Sequence, residues 1–232
     1  MDTLDSVLKT ENRKCMSCKK QFSGDPFAFL CKECEKDAAD KEPEQKESNF
    51  ERMEKNIPLR YLDADTKNID SRIINWLKEQ KNEFLFIHGP CGTGKTYASC
   101  AITMRLRAKK IPCKLVFSSD LFASLRRSFN KKTWEGSEED IIERHTGKKI
   151  TIFDDVGAEK TSEYVIESWY NIINKRYNDM LPTIFTSNYS LDEINNKMSD
   201  RIASRLASGT VIKLSGADKR LLEMDLSQQN GI

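Results

Sequence analysis

Short apolar runs alternate with longer amphipathic stretches over most of the chain. Five runs rich in β-branched and aromatic residues have the length of strands. They cover residues 84–88, 114–118, 150–154, 183–187 and 210–214. Strands that alternate with helices form parallel sheets, because each helical crossover returns the chain to the same end of the sheet. The pattern therefore predicts an α/β fold with a five-stranded parallel sheet.

A highly charged stretch separates this region from the N-terminus. Residues 35–49 contain almost no large apolar side chain. Such a segment cannot bury enough surface to offset the entropy lost on ordering. We therefore expect three parts: a small N-terminal module over 1–34, a charged linker over 35–49, and a large α/β domain over 50–232.

Composition limits the classes of protein that the chain can represent. Its 232 residues are 38% hydrophobic and 32% charged, with a formal net charge of +2. No apolar run approaches the roughly 20 residues that a membrane span needs, and the first residues lack the pattern of a signal peptide. These features predict a cytoplasmic protein without a membrane partner, whose cysteines are thiols or metal ligands. The small net charge alone does not argue for nucleic-acid binding.

The N-terminal module contains two C-x2-C pairs separated by 12 residues: Cys15, Cys18, Cys31 and Cys34. Each pair can supply two thiolates from a tight turn, and four thiolates suit one tetrahedral Zn²⁺. The spacing therefore predicts a zinc site that stabilises a very small domain. Four unconnected reduced cysteines are the alternative.

A glycine-rich sequence follows the first predicted strand and precedes a helical stretch. It fits G-x-x-x-x-G-K-[ST], in which backbone N–H groups and a lysine surround the phosphates of a nucleotide while a hydroxyl binds Mg²⁺. We predict that this segment binds ATP and Mg²⁺, with the charge of Lys95 directed at the β- and γ-phosphates and the hydroxyl of Thr96 at Mg²⁺. The segment, called the phosphate loop below, consists of Gly89, Pro90, Cys91, Gly92, Thr93, Gly94, Lys95 and Thr96.

Polar side chains end two further strands of the predicted sheet. Asp154 and Asp155 end the third strand, and Asn188 follows the fourth. We expect Asp154 to hold Mg²⁺ through water and Asp155 to act as general base on the attacking water. Asn188 can hydrogen-bond that water or the γ-phosphate if its strand lies beside the acidic one. A strand-terminal turn without a catalytic role is the alternative for the two acids.

Basic residues end an amphipathic segment after the second predicted strand. Arg126, Arg127, Lys131 and Lys132 place four cations within seven residues. Such a cluster can follow the phosphates of single-stranded DNA. A solvated helix face explains the same pattern equally well, and both interpretations stay open.

The order and spacing of these motifs resemble those of AAA+ ATPases of the DnaC/DnaI helicase-loader group. This group belongs to the wider set of DnaC/IstB-like ATPases. The resemblance extends over about residues 50–220 and rests on segments 58–61, 89–96, 152–157, 186–188 and 200–206. It implies an AAA+ P-loop ATPase with the sheet order 5-1-4-3-2. It also implies the absence of a full helical lid.

The resemblance assigns roles to three arginines. It implies that Arg205 is an arginine finger, which reaches the ATP site of a neighbouring subunit, and that Arg201 is a second interface arginine. Their i, i+4 spacing places them on one helix face. It further implies that Arg220 contacts phosphate. Solvated basic surface is the alternative for all three.

The implied function is that of an ATP-dependent loader. Such a protein binds a hexameric replicative DNA helicase, helps to place it on single-stranded DNA, associates with itself through its AAA+ domain and hydrolyses ATP slowly under the control of DNA or partners. The N-terminal module resembles, in architecture and ligand pattern, the zinc domains with which some loaders bind the helicase. Two alternatives stay open: an IstB-like ATPase that assists a transposase, and a non-hydrolysing ATP-bound adaptor or inhibitor of a helicase.

Overall fold

The computed structural model of the protein describes residues 13–15, 18–22, 31–34, 56–79, 83–129, 137–147 and 150–219. The predicted linker and three predicted site residues, Lys131, Lys132 and Arg220, lie outside these ranges. The predicted domain boundaries therefore stay predictions.

A two-stranded hairpin carries the first pair of cysteines. Strand β1 (Arg13–Lys14) pairs antiparallel with β2 (Gln21–Phe22). In the turn between them, the Cys15 N–H donates to the Lys20 carbonyl at 2.7 Å, and the Lys19 N–H donates to the Cys15 carbonyl at 2.9 Å. This tight turn fixes the backbone around Cys15.

Five parallel strands form the central sheet. They are β3 (Phe84–His88), β4 (Cys113–Phe117), β5 (Ile150–Asp154), β6 (Thr183–Ser187) and β7 (Thr210–Lys213). Their order is β4-β5-β6-β3-β7, and every neighbouring pair is parallel. Counted within this sheet alone, the order is 2-3-4-1-5, which is the predicted 5-1-4-3-2 read from the other edge. The predicted strand order is confirmed.

Helices connect these strands. The described residues contain α1 (Ser71–Glu79), α2 (Lys95–Ala108), α3 (Ser118–Ser128), α4 (Glu138–Thr146), α5 (Glu163–Asn178), α6 (Leu191–Lys197) and α7 (Asp200–Ala207). Capping boxes stabilise the N-termini of α4 and α6, where the hydroxyls of Ser137 and Ser190 accept hydrogen bonds from backbone N–H groups. Within the described ranges, none of these helices is both long and apolar enough to cross a lipid bilayer.

Two apolar layers cover the sheet, one on each face. Leu85 and Ile87 pack into the layer formed with α1 and α2. Phe84 and Phe86, the alternate residues of the same strand, pack into the layer formed with α3, α5 and α7. Burial on both faces explains why the strands are almost continuously apolar. Polar residues at the strand ends therefore lie at the edge of this core, where the candidate site is built.

Candidate nucleotide-binding site

The phosphate loop forms the turn between β3 and α2, and α2 begins at Lys95. Gly89, Gly92 and Gly94 have φ values of 153°, 77° and 96°, which glycine adopts without the steric cost that other residues meet. The Lys95 ammonium donates to the Gly89 and Pro90 carbonyls, both at 2.7 Å. Lys95 is thus held across the loop, beside the N-terminus of α2, which favours anions.

Asp154 is buried at the end of β5 and accepts three hydrogen bonds from hydroxyls. Thr96 Oγ1 donates to Oδ2 at 2.8 Å, while Ser99 Oγ and Thr186 Oγ1 donate to Oδ1 at 2.6 and 2.8 Å. Asp154 and Thr96, both predicted for Mg²⁺, therefore lie side by side. Hard oxygen donors of this kind fit Mg²⁺, which often keeps several of its waters in protein sites.

Two of these hydroxyl residues were absent from the predicted site. Ser99 lies three residues after Thr96 on α2, so both hydroxyls project from one helix face. That spacing was a usable signal for Ser99. Thr186 lies on β6, two residues before Asn188. Only the pairing of β5 with β6 brings the Thr186 hydroxyl to Asp154.

Asp155 and Asn188 contact each other directly. Asn188 Nδ2 donates to Asp155 Oδ1 at 2.7 Å, and the Asp155 N–H donates to Thr186 Oγ1 at 3.0 Å. Asp155 has a φ of 63°, a left-handed conformation that costs a non-glycine residue on the order of 1 kcal/mol. The strand of Asn188 does lie beside the acidic strand, as its predicted role requires. In this structure, however, its amide binds the acid itself.

A cavity of about 380 Å³ lies over the phosphate loop, a size typical of small-ligand sites. One part of its wall carries the polar groups described above, and another carries two tyrosines. Tyr61 and Tyr97 meet edge to face with ring centroids 6.4 Å apart, and the Tyr97 hydroxyl accepts from the Asp65 N–H at 3.0 Å. A nucleotide, which joins an aromatic base to charged phosphates, matches this wall. The lining residues are Arg60, Tyr61, Asn68, Cys91, Gly92, Gly94, Lys95, Thr96, Tyr97, Asp155, Thr186, Asn188 and Lys219.

The two arginines of α7 have different surroundings. Arg205 Nε donates to Asn174 Oδ1 at 2.9 Å and Nη1 donates to the Arg201 carbonyl at 3.0 Å. Its guanidinium also lies 4.9 Å from the centre of the Tyr170 ring, a cation–π distance. Arg205 therefore rests on α5 of its own chain, whereas Arg201 is exposed. Their roles at a subunit interface stay predictions.

Two of the four predicted DNA-binding cations can be placed. Arg126 and Arg127 are exposed in the last turn of α3, and Arg127 Nη2 donates to Ser124 Oγ at 3.1 Å. Their exposure is compatible both with a DNA path and with a solvated face. The DNA-binding role stays a prediction.

The four cysteines of the N-terminal module come together. Their sulfur atoms all lie within 4.8 Å of one another, and Cys18 Sγ is 3.6 Å from Cys31 Sγ. The Cys31 N–H also donates to Cys15 Sγ at 3.2 Å. Tetrahedral Zn²⁺ with Zn–S bonds of about 2.3 Å needs sulfurs about 3.8 Å apart. The cluster therefore fits Zn²⁺, with Cys34 as the fourth donor.

The order of the sheet, the phosphate loop after β3 and the polar ends of β5 and β6 define the AAA+ class of P-loop proteins. The sequence profile of one family within this class matches residues 42–211. The chain belongs to the family of IstB-like ATP-binding proteins.

Curated relatives come from replication and from transposition. The replicative helicase loader DnaI of Bacillus subtilis (strain 168) is 27% identical over 117 residues, which are 50% of this chain and 36% of the loader. The ATP-binding protein assigned to insertion sequence IS5376 of Geobacillus stearothermophilus is 28% identical over 157 residues, which are 65% of this chain and 60% of that protein. The chain thus matches less than two thirds of the length of either relative.

Solved structures share the fold. A crystal structure of DnaI has 22% identity and a TM-score of 0.59, covering 73% of this chain and 100% of that one. The crystal structure of the DnaC helicase loader has 19% identity and a TM-score of 0.58, covering 68% and 100%. At these identities the likeness shows a common fold.

Proposed function

We propose that the protein is an ATP-hydrolysing loader that binds a hexameric replicative DNA helicase and helps to place it on single-stranded DNA when replication begins. The observation that carries this proposal is the cluster of Thr96, Asp154, Asp155 and Asn188 beside the phosphate loop. These groups suit the binding of Mg²⁺ and the activation of a water beside a bound nucleotide. The similarity to the loader DnaI supports the choice of partner.

The hydrolytic chemistry follows from the positions of these groups. Lys95 and the backbone N–H groups of the loop would bind the phosphates. Thr96 with Asp154 would hold Mg²⁺, which supplies positive charge to the phosphates when bound. Asp155 accepts a proton from the attacking water, and Asn188 orients either that water or the acid. These side chains come from the phosphate loop and from the ends of the adjacent strands β5 and β6.

Two contacts support slow, regulated turnover. The amide of Asn188 occupies one oxygen of Asp155, and Asn174 with Tyr170 holds Arg205 on its own chain. We infer that DNA or a partner subunit changes both contacts and so accelerates hydrolysis. Self-association through the AAA+ domain would then bring Arg205 and Arg201 to a neighbouring ATP.

The remaining parts of the chain would serve the helicase and the DNA. In this proposal the module at 1–34 binds Zn²⁺ and docks on the helicase, the linker at 35–49 tethers it, and the ATPase domain occupies 50–232. Arg126, Arg127, Lys131 and Lys132 would follow the DNA backbone. Arg220 would contact phosphate.

Co-purification with the replicative helicase of the same cell tests this proposal. The full chain is expected to retain the helicase, and a chain that starts near residue 50 is expected to lose it. A full chain treated with a zinc chelator should behave like the shortened one. Failure of the full chain to bind the helicase in the presence of ATP would contradict the loader function, and equal binding by the shortened chain would contradict docking through the zinc module.

A second candidate is an ATPase that assists a transposase. It is favoured by the family profile and by the relative from an insertion sequence, which aligns with more of this chain than DnaI does. Such a protein should prefer duplex DNA over single-stranded DNA. A direct comparison of the two affinities at one salt concentration separates the candidates.

A further inference from the structure

The segment that follows β7 lies against the phosphate loop. The Lys219 N–H donates to the Gly92 carbonyl at 3.1 Å. A side chain at position 92 would collide with the Asp218 carboxylate, so this carboxylate fills the space that glycine leaves. A backbone hydrogen bond and close packing therefore both fix residues 218 and 219 to the loop.

The side chain of Lys219 continues from this attachment towards the nucleotide cavity. Its Nζ lies 3.6 Å from the position that a Cβ on Gly94 would occupy. Lys219 lines the cavity together with Lys95 and Thr96. The loop backbone beside Gly94 is the part that receives phosphate in this kind of motif. The ammonium group of Lys219 is thus within reach of a bound polyphosphate.

We propose that Lys219 is a second phosphate-binding cation of the nucleotide site, acting beside Lys95. Arg220, to which the sequence resemblance assigns a phosphate contact, lies outside the described residues, and its role stays a prediction beside that of Lys219. Asp218 is a positioning residue, because its packing on Gly92 keeps Lys219 at the loop. This inference rests on the proposed function in one respect only, the binding of ATP.

A second cation is physically useful at this site. Lys95 divides its hydrogen bonds between two loop carbonyls, and the β- and γ-phosphates of ATP carry several negative charges. A charge-assisted hydrogen bond from a lysine to phosphate oxygen is stronger than a neutral one. Losing one such bond should weaken nucleotide binding by about tenfold.

Lys213 provides a matched control. It is an exposed lysine at the end of β7 and does not line the cavity. His88 is the residue just before the phosphate loop. Burial of its imidazole ring lowers its pKa most, and the positive charge of Lys213 lowers it further. Lys213 therefore places a positive charge at the same end of the sheet without lining the cavity.

The experiment measures the affinity of the full chain for a fluorescent ATP analogue and a fluorescent ADP analogue, with Mg²⁺ at fixed salt. We expect Lys219→Gln to weaken binding of both by about tenfold, Lys219→Arg to stay within about threefold, and Lys213→Gln to stay within about twofold of wild type. Circular dichroism melts confirm that each variant is folded.

Two results would overturn the inference while leaving ATP binding intact. One is wild-type affinity in Lys219→Gln. The other is an equal loss in Lys219→Gln and Lys213→Gln, which would show a general field effect. A wild-type chain that binds neither analogue would contradict the proposed function itself, and the inference with it.

Discussion

Asn188 donates a hydrogen bond of 2.7 Å from Nδ2 to Oδ1 of Asp155, so the residue after β6 holds the acid after β5. The two strands are neighbours in the sheet. The bond defines the direction of the carboxylate within the nucleotide cavity.

Replacing the proposed general base should separate binding from hydrolysis. Asp155→Asn removes the proton acceptor but keeps the size of the side chain. We expect ATP hydrolysis to fall by about 100-fold or more, with ATP affinity within about threefold of wild type. Asp192→Asn, an exposed acid at the start of α6, is the control and should hydrolyse ATP at the wild-type rate. Unchanged ATP turnover in Asp155→Asn would contradict a hydrolytic switch.

The neighbouring acid should control the use of Mg²⁺. In Asp154→Asn, the amide nitrogen cannot accept the hydroxyl hydrogen bonds that the carboxylate now accepts. We expect the affinity for ATP with Mg²⁺ to fall at least about tenfold, and the affinity with EDTA to change much less. Ser99→Ala also removes a bond to Asp154 but no proposed metal ligand, so it should lower the free energy of unfolding by about 1 kcal/mol and keep the response to Mg²⁺. The same Mg²⁺ response in Asp154→Asn and wild type would contradict this assignment.

Zinc content tests the cysteine cluster. Elemental analysis of the purified full chain is expected to find about one zinc per chain, because four thiolates complete a structural site. Cys31→Ser should lose most of this metal and lower the thermal stability of the N-terminal module. Cys91→Ser and Cys113→Ser change cysteines outside the cluster and should keep it. Equal zinc in Cys31→Ser and wild type would show that the cluster does not bind the metal.

The fold was largely predictable from the sequence, since buried parallel strands leave a strong apolar signal. The second strand was predicted one residue too late, over 114–118. In the structure it begins at Cys113, and Ser118 is the first residue of α3. The N-terminal cysteine pairs were recognisable because their ligands are close in sequence.

The site was less predictable where it depends on contacts between distant segments. Thr186 reaches Asp154 only through the pairing of β5 with β6, and Lys219 reaches the loop only because β7 lies beside β3. Thr186 belongs to segment 186–188, which carries the family resemblance, but no local pattern shows that its hydroxyl binds Asp154, and none marks Lys219. The contact of Arg205 with Tyr170 is likewise tertiary, so an assignment by motif could not show how the guanidinium is held.

Mixed subunits test whether Arg205 acts across an interface. A Lys95→Ala chain keeps Arg205 but should not bind the phosphates of ATP productively. An Arg205→Ala chain keeps its phosphate loop but lacks the arginine. Each alone is expected to hydrolyse ATP at least about tenfold more slowly than wild type, and a mixture should recover part of the activity. Recovery requires that the arginine of one chain serve the ATP of another. A mixture no more active than its components would contradict a finger in trans.

Acid should destabilise the protein through His145. Burial of its ring, with the charges of Lys114, Arg144 and Arg176, lowers its pKa to about 3, and Nδ1 donates to the Ile141 carbonyl at 3.0 Å. In the unfolded chain, the imidazole of His145 has its ordinary pKa of about 6.5. As the pH falls, it is therefore protonated in the unfolded chain at a higher pH than in the folded chain. The free energy of unfolding should therefore fall by up to about 1.4 kcal/mol per pH unit as the pH drops from about 6.5 to 3.

His145→Gln removes this titration. Chemical unfolding at several pH values between 7 and about 4 should then show a flatter decline for the variant than for wild type. Parallel curves for the two proteins would contradict a half-buried His145 that stays neutral in the folded protein.

A loading assay tests most directly whether the protein loads a replicative helicase. The assay follows unwinding by the helicase of the same cell on circular single-stranded DNA that carries a short annealed oligonucleotide. With ATP, the wild-type protein is expected to increase unwinding at least about tenfold, and the Lys95→Ala variant should not. Unwinding that stays at the level of helicase alone, under conditions where the wild-type protein binds and hydrolyses ATP, would contradict the claim.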